Sequence, residues 1–306
     1  MDGTGNLYGT TSFGGTAEGG TVFRLSPPAN GEGNWTETVL WNFTRATDNG
    51  DGPGVGKLNM DIVGNIYGTT VGGGAKNLGV VFELTPRGDG TYSFSILHSF
   101  SGADGYGPQY GVSFDSAGNM YGTTEHGGLG APGCIAGCGV VYQLSPVNGT
   151  WQETVLYKFN GVIGQYPFSP VSIDQSGNLY GTFQIGGGGG CSFGTCGGVF
   201  KLIPQTSGGI KKYAFYFNGG QAGGNPQTGV MLGGHDTVYG TVYNGNNVYM
   251  LNGGHETILY TFCSLLNCVD ESGTSYGNLV GHQGSIYGGT YLGGQYGMGV
   301  VYSLTQ

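Results

Sequence analysis

The chain has 306 residues, of which 69 are glycine and 13% are aromatic, and its 18 acidic and 9 basic side chains leave a net charge of −9. Glycine far above its usual share of roughly 7% would suit a disordered chain, but 38% hydrophobic residues supply enough apolar surface for a folded, turn-rich one. The only neighbouring basic pair of note is Lys211–Lys212, which argues against nucleic acid as a partner, and no apolar run approaches the roughly 18–20 residues of a membrane helix.

The first element is a short strand within "GNLYGTT" (5–11). Near copies follow as "GNIYGTT" (64–70), "GNMYGTT" (118–124), "GNLYGTF" (177–183), "DTVYGTV" (236–242) and "GSIYGGT" (285–291), spaced 59, 54, 59, 59 and 49 residues apart. After each heptad comes a glycine-rich stretch and a second apolar segment: "GTVFRLSP", "GVVFELTP", "GVVYQLSP", "GGVFKLIP", "NVYMLNG" and "GVVYSLTQ". The first five units continue with a third segment, such as "WTETVLWNF" or "YSFSILHSF", and then a fourth before the next heptad, such as "VGKLNMD" or "YGVSFD". These runs are rich in Val, Ile, Tyr, Phe and Thr and bounded by Gly, Pro or Asn, which is the pattern of short strands; no helical period is sustained.

Four short strands per unit, repeated six times, predict an all-β, six-repeat β-propeller forming one domain over 1–306, with units starting near 2, 61, 115, 174, 233 and 282. We designate the strands of a unit a to d, with the heptad as strand b. The chain enters at strand b and stops at strand c, so about 22 strands are expected, with the first and last blades incomplete and their edges open to self-association. Within strand b, Tyr8 is expected on one face and Leu7 and Gly9 on the other, with Phe23 of strand c covering the glycine. The a–b turns "DIVGN", "DSAGN" and "DQSGN" place an Asp to bond backbone amides and a Gly-Asn pair to close a tight hairpin.

The unit "D-x-x-G-N-[LIM]-Y-G-T-T … G-V-V-F-x-L-[ST]-P … V-L-x-x-F … G-x-x-P" resembles the GloVer-type tandem repeat of bacterial exported proteins. It is more distantly similar to NHL and SMP-30-like propeller repeats. The resemblance spans nearly the whole chain, tightly in four units and loosely in the last two. It implies export and a repeat scaffold, and carries over no catalytic residue. "MDGTGN" reads as a start inside a repeat, so an export signal is expected upstream of it.

Alternating turns place the variable b–c and d–a loops on one face, where function is expected. Its aromatics Phe13, Tyr106, Tyr166, Phe168, Phe193 and Tyr296 suit stacking on sugar rings or packing on a protein. Glu125 and His126 form an adjacent acid–imidazole pair in one of these loops. Cys134 with Cys138, Cys191 with Cys196 and Cys263 with Cys268 are local pairs, read as three loop-pinning disulfides and an oxidising compartment rather than as zinc ligands, whose usual spacing they lack. "TDNGDGPG" (47–54) looks like a calcium loop but lacks the full ligand spacing, and His98 reads as a plain blade residue. No metal or cofactor is expected. The expected function is a non-enzymatic, cell-surface module binding glycan or protein; the alternatives are a filament or matrix subunit and a polysaccharide lyase or hydrolase.

Overall fold

The computed structural model describes residues 1–45, 49–187, 196–205, 207–220, 223–264 and 277–305. The fold is an all-β, six-bladed propeller, one antiparallel sheet per repeat, and no helix occurs among the described residues. By internal contacts the chain divides into two compact units, Met1–Leu129 with Gly139–Lys158 and Gly130–Cys138 with Phe159–Gln306.

In the first unit, β1 (Leu7–Thr11), β2 (Thr21–Ser26) and β3 (Thr36–Asn42) form a three-stranded blade. The second blade pairs β6 (Ile66–Gly72), β7 (Val80–Pro86) and β8 (Tyr92–Ser99) with two short pieces, β4 (Asp51–Pro53) and β5 (Asn59–Met60). The third runs β9 (Ser113–Phe114), β10 (Met120–Thr124), β11 (Val140–Val147) and β12 (Thr150–Lys158). In the second unit the fourth blade has β13 (Gln165–Pro167), β14 (Ser172–Ile173), β15 (Leu179–Ile185), β16 (Gly198–Pro204) and β17 (Ile210–Tyr216). The fifth has β18 (Met231–Leu232), β19 (Thr237–Val242), β20 (Asn247–Asn252) and β21 (His255–Thr261), and the sixth β22 (Val280–His282), β23 (Ser285–Gly289) and β24 (Val301–Thr305). Among the described residues there are 24 strands rather than the expected 22, because the inner strand of blades two and four is interrupted and pairs with its neighbour in two pieces.

The heptad is explained residue by residue. Gly9, Gly68, Gly122, Gly181, Gly240 and Gly288 each stand opposite the aromatic of strand c: Phe23, Phe82, Tyr142, Phe200, Tyr249 and Tyr302. A methyl on Gly68 would come 2.6 Å from the Phe82 ring, so the ring lies where a side chain would be. The tyrosine on the opposite face closes the a–b hairpin: Asp115 accepts from the Ala117 and Asn119 amides at 2.9 Å, from Asn119 Nδ2 at 2.8 Å and from the Tyr121 hydroxyl at 3.0 Å. Asp2, Asp61 and Asp174 repeat this cage with Tyr8, Tyr67 and Tyr180. Gly118, at φ 84°, supplies the left-handed corner.

Blades meet through aromatics. The Phe that follows each d strand packs edge-to-face with the c-strand aromatic of the following blade: Phe43 with Phe82, Phe100 with Tyr142, Phe159 with Phe200, Phe217 with Tyr249 and Phe262 with Tyr302, with centroids 4.9–5.6 Å apart. Edge-on packing matches the positive ring edge to the negative face. Blades one, two, three and five also carry a β-bulge, between Val22/Phe23, Val81/Phe82, Val141/Tyr142 and Val248/Tyr249, which leaves Leu40, Leu97, Leu156 and Leu259 unopposed. Blade four has no such bulge, because its "AFYF" is one residue shorter than "VLWNF".

Candidate functional site

A cleft of about 390 Å³ opens on the variable-loop face of the first unit. Its walls come from the b–c loops of blades one and two and the d–a segments that follow blades one and two, and they include Phe13, Arg45, Asp51, Asn77, Tyr106 and Gln109. Phe13 is 75% exposed at the rim. The Ser12 hydroxyl beside it donates to the Pro53 carbonyl at 3.2 Å, which fastens the Phe13 loop to the neighbouring blade.

Tyr106 and His126 exchange two backbone hydrogen bonds of 3.0 Å, and their rings lie 5.4 Å apart. The Thr124 hydroxyl at the end of β10 donates to the His126 carbonyl at 2.8 Å, so the last threonine of the heptad positions the start of the loop. Glu125 accepts from the Gln109 amide, and its other oxygen lies 3.7 Å from His126 Nε2. Across the cleft Arg45 Nε stands 3.6 Å from Asp51. The cleft thus combines aromatic rings with planar, hydrogen-bonding amide, carboxylate and guanidinium groups.

The structure brings four of the expected site residues to one place: Phe13 and Tyr106 in the cleft wall, and Glu125 and His126 behind it through Gln109. Arg45, Asn77 and Gln109 were not legible as site residues, since each is a lone polar residue amid turn glycines. Asp51 belonged to the calcium-like "TDNGDGPG"; it instead pairs with Arg45, and residues 46–48 lie outside the described residues.

The remaining candidates belong to the second unit. Tyr166 adopts φ 57°, a left-handed geometry costing about 1–2 kcal/mol for a side chain of this kind. It is held there by its amide on the Cys138 carbonyl at 3.0 Å and its hydroxyl on the Gly133 carbonyl at 2.9 Å. Tyr166 therefore clamps the loop closed by the Cys134–Cys138 disulfide. Phe168 is half-buried, with its amide on the Thr182 carbonyl, and Tyr296 is 80% exposed in the b–c loop of blade six. Cys196 and Cys263 are disulfide-bonded. Cys191, Phe193 and Cys268 lie outside the described residues. No group of three or more potential metal ligands occurs among the described residues.

Two further polar clusters shape the electrostatics. On β8, His98 Nε2 lies 3.1 Å from Asp104, and burial holds the imidazole below its ordinary range. Glu153 on β12 is pushed up to about 7, first by burial and then by the Asp104 charge. In the second unit a cleft of about 440 Å³ lies at the hairpins of blades four and five. There the Tyr180 hydroxyl sits 3.0 Å from Asp174 and 3.1 Å from Asp236, with Lys201 Nζ 2.6 Å from Asp236. Burial works against Lys201, but its bonds to Asp236 and Tyr180 prevail and keep the ammonium charged. This cluster latches two blades together.

The model of the Gloeobacter/Verrucomicrobia repeat matches residues 1–135 and 89–302. The chain belongs to the Gloeobacter/Verrucomicrobia repeat family. No curated protein matches it in sequence. Among solved structures, a protein from Lactobacillus plantarum is similar in fold, with a TM-score of 0.59 at 12% identity over 98% of this chain and 82% of that one. A nidogen/laminin complex gives 0.54 at 12% identity over 98% and 93%. Virginiamycin B lyase from Staphylococcus aureus gives 0.51 at 13% identity over 100% and 86%. At such identities these likenesses establish the propeller fold of this Gloeobacter/Verrucomicrobia repeat chain and nothing finer.

Proposed function

We propose that this chain is an exported, non-enzymatic binding module that holds glycan in the cleft of Phe13 and Tyr106. The observation that carries the reading is the composition of that cleft: aromatic rings at its rim and wall, beside the Arg45–Asp51 pair, Asn77 and Gln109. Aromatic faces stack on the apolar face of a sugar ring, while planar polar groups bond its hydroxyls in pairs. The Cys134–Cys138 disulfide supports an oxidising, extracellular setting.

The test is a glycan array followed by calorimetry on the hits. Phe13→Ala and Tyr106→Ala each weaken binding roughly 2–10-fold, the range of a single aromatic contact, with no change in unfolding temperature for the exposed Phe13. An array without hits, or hits that survive both substitutions unchanged, refutes the reading. Capture of a protein through the same two side chains would move the function to protein recognition.

A further inference from the structure

Two side-chain amides in the wall of the Phe13–Tyr106 cleft are oriented by the protein around them. Asn77 Oδ1 accepts from the Gly73 backbone amide at 2.7 Å, which leaves the Nδ2 group, a donor only, without a partner among the described residues. In Gln109 the order is reversed: Nε2 donates to the Glu125 carboxylate, and Oε1, an acceptor only, is the atom left over. Neither amide can turn round without loss. A backbone N–H cannot accept from Asn77, and a carboxylate cannot donate to Gln109.

Among the described residues, Arg45 and Asp51 are the charged members of the wall, and their charges cancel. Arg45 faces Asp51 through Nε at 3.6 Å, and its two terminal nitrogens make no hydrogen bond to the described residues. Asp51 and Asn77 flank the same bare glycine: a Cβ on Gly72 would stand 3.5 Å from Asp51 Oδ2 and 3.4 Å from Asn77 Oδ1. Lys76, next to Asn77 in the chain, and Glu125, behind Gln109, oppose each other in turn. The cleft therefore offers donors on Arg45 and Asn77 and acceptors on Asp51 and Gln109, with no net charge. A uronate or sulfate group only accepts, so it would face Asp51 and Gln109 with no proton between them. A sugar hydroxyl donates and accepts, and pairs with either kind of group. The chain's net charge of −9 opposes an anionic ligand as well.

Resting on the glycan reading of this cleft, we propose that its ligand is a neutral sugar chain, and that Asp51 is the residue that excludes acidic ones. Hydroxyls of the sugar bridge Arg45 and Asp51, while others accept from Asn77 Nδ2 and donate to Gln109 Oε1. Asp51 discriminates in two ways. It neutralises the guanidinium that would otherwise attract a carboxylate, and it presents a like charge that a uronate would have to approach.

The test reads a glycan array in two halves, neutral glycans and glycans bearing uronate or sulfate, with calorimetry on the hits and unfolding temperatures to show that each variant is folded. Native protein is expected to bind in the neutral half only, with an affinity that changes less than about twofold between roughly 0.05 and 0.5 M salt, since no charge is neutralised on binding. Asp51→Asn, of nearly the same shape, uncovers Arg45 and is expected to gain acidic hits whose affinity falls as salt rises. Asn77→Asp keeps an oxygen for the Gly73 amide and suits the left-handed φ of 55° there, but it turns the free donor into an acceptor; neutral binding is expected to fall about tenfold. Native protein that binds acidic glycans through Phe13 and Tyr106, more weakly at high salt, overturns this inference and leaves the glycan reading standing. Asp51→Asn without acidic hits, or Asn77→Asp with native affinity, overturns it too. An array with no hits in either half overturns both.

Discussion

The notch between heptad glycine and c-strand aromatic makes a sharp prediction at Gly122. Tyr142 is fully buried, its ring packs T-shaped with Phe100 at 5.1 Å, and a Cβ on Gly122 would overlap its phenol. Gly122 does not have a positive φ, so alanine strains no backbone there and stiffens the unfolded chain, a gain of about 0.4–1 kcal/mol. Against this stands overpacking of a closed core, about 1–3 kcal/mol, so Gly122→Ala destabilises by about 1–2 kcal/mol net. For a cooperative unit of 150–250 residues that lowers the unfolding temperature by about 2–8 °C. Gly289→Ala is the control, because its Cβ would meet only the Val300 carbonyl at an ordinary 3.7 Å. There the entropic gain acts alone and the unfolding temperature rises by about 1–4 °C. Calorimetry on both variants reads the two signs. Combining Gly122→Ala with Tyr142→Leu gives a loss smaller than the sum of the single ones, since the ring that clashes is gone. A Gly122→Ala protein as stable as Gly289→Ala refutes the packing account of the heptad.

Other outcomes follow from the electrostatics and the cross-link. Partial burial pushes the Asp115 and Asp174 carboxyls up, but the bonds from Asn119 and Asn178, from Tyr121 and Tyr180 and from backbone amides outweigh it and hold both below the usual carboxylate range. Their contribution is therefore complete above the unfolded value near 3.9 and lost as pH falls through the depressed folded ones; denaturant titrations at pH 5 and below pH 3 show a drop that Tyr121→Phe and Tyr180→Phe reduce. Glu153 and Glu256 behave oppositely, because burial raises each to about 7. Native protein binds more protons than unfolded protein between roughly pH 4.5 and 7, so stability falls as pH rises through that window. Glu153→Gln and Glu256→Gln consequently stabilise at pH 8 relative to the native protein and lose that advantage at pH 5. Replacing Cys134 and Cys138, four residues apart, with serine removes at most about 2 kcal/mol, while hydrogen exchange over 131–139 accelerates, since the loop then relies on Tyr166 and its own backbone bonds.

The propeller was legible in the sequence because each blade repeats one solution to one packing problem. Period, strand segments, the Gly9–Phe23 notch, the Asp-Gly-Asn hairpins and the incomplete first and last blades all follow from local pattern. Even the bulge was written there, as a leucine present in "VLWNF" and missing from "AFYF". The hairpin tyrosine was less so: its hydroxyl reaches an Asp six residues earlier, and the sequence showed the two residues without the bond.

The site was decided by tertiary structure alone. Phe13, Tyr106, Gln109 and Glu125 are separated by up to 112 positions, and only the stacking of blades gathers them around one cleft. Val301 and Val81 have the same residue type in nearly the same words, "GVVYSL" and "GVVFEL", yet are 87% and 0% exposed. A local pattern dictates that a strand wants both faces covered. Whether a neighbour covers them is a property of long-range packing, which no local pattern reports.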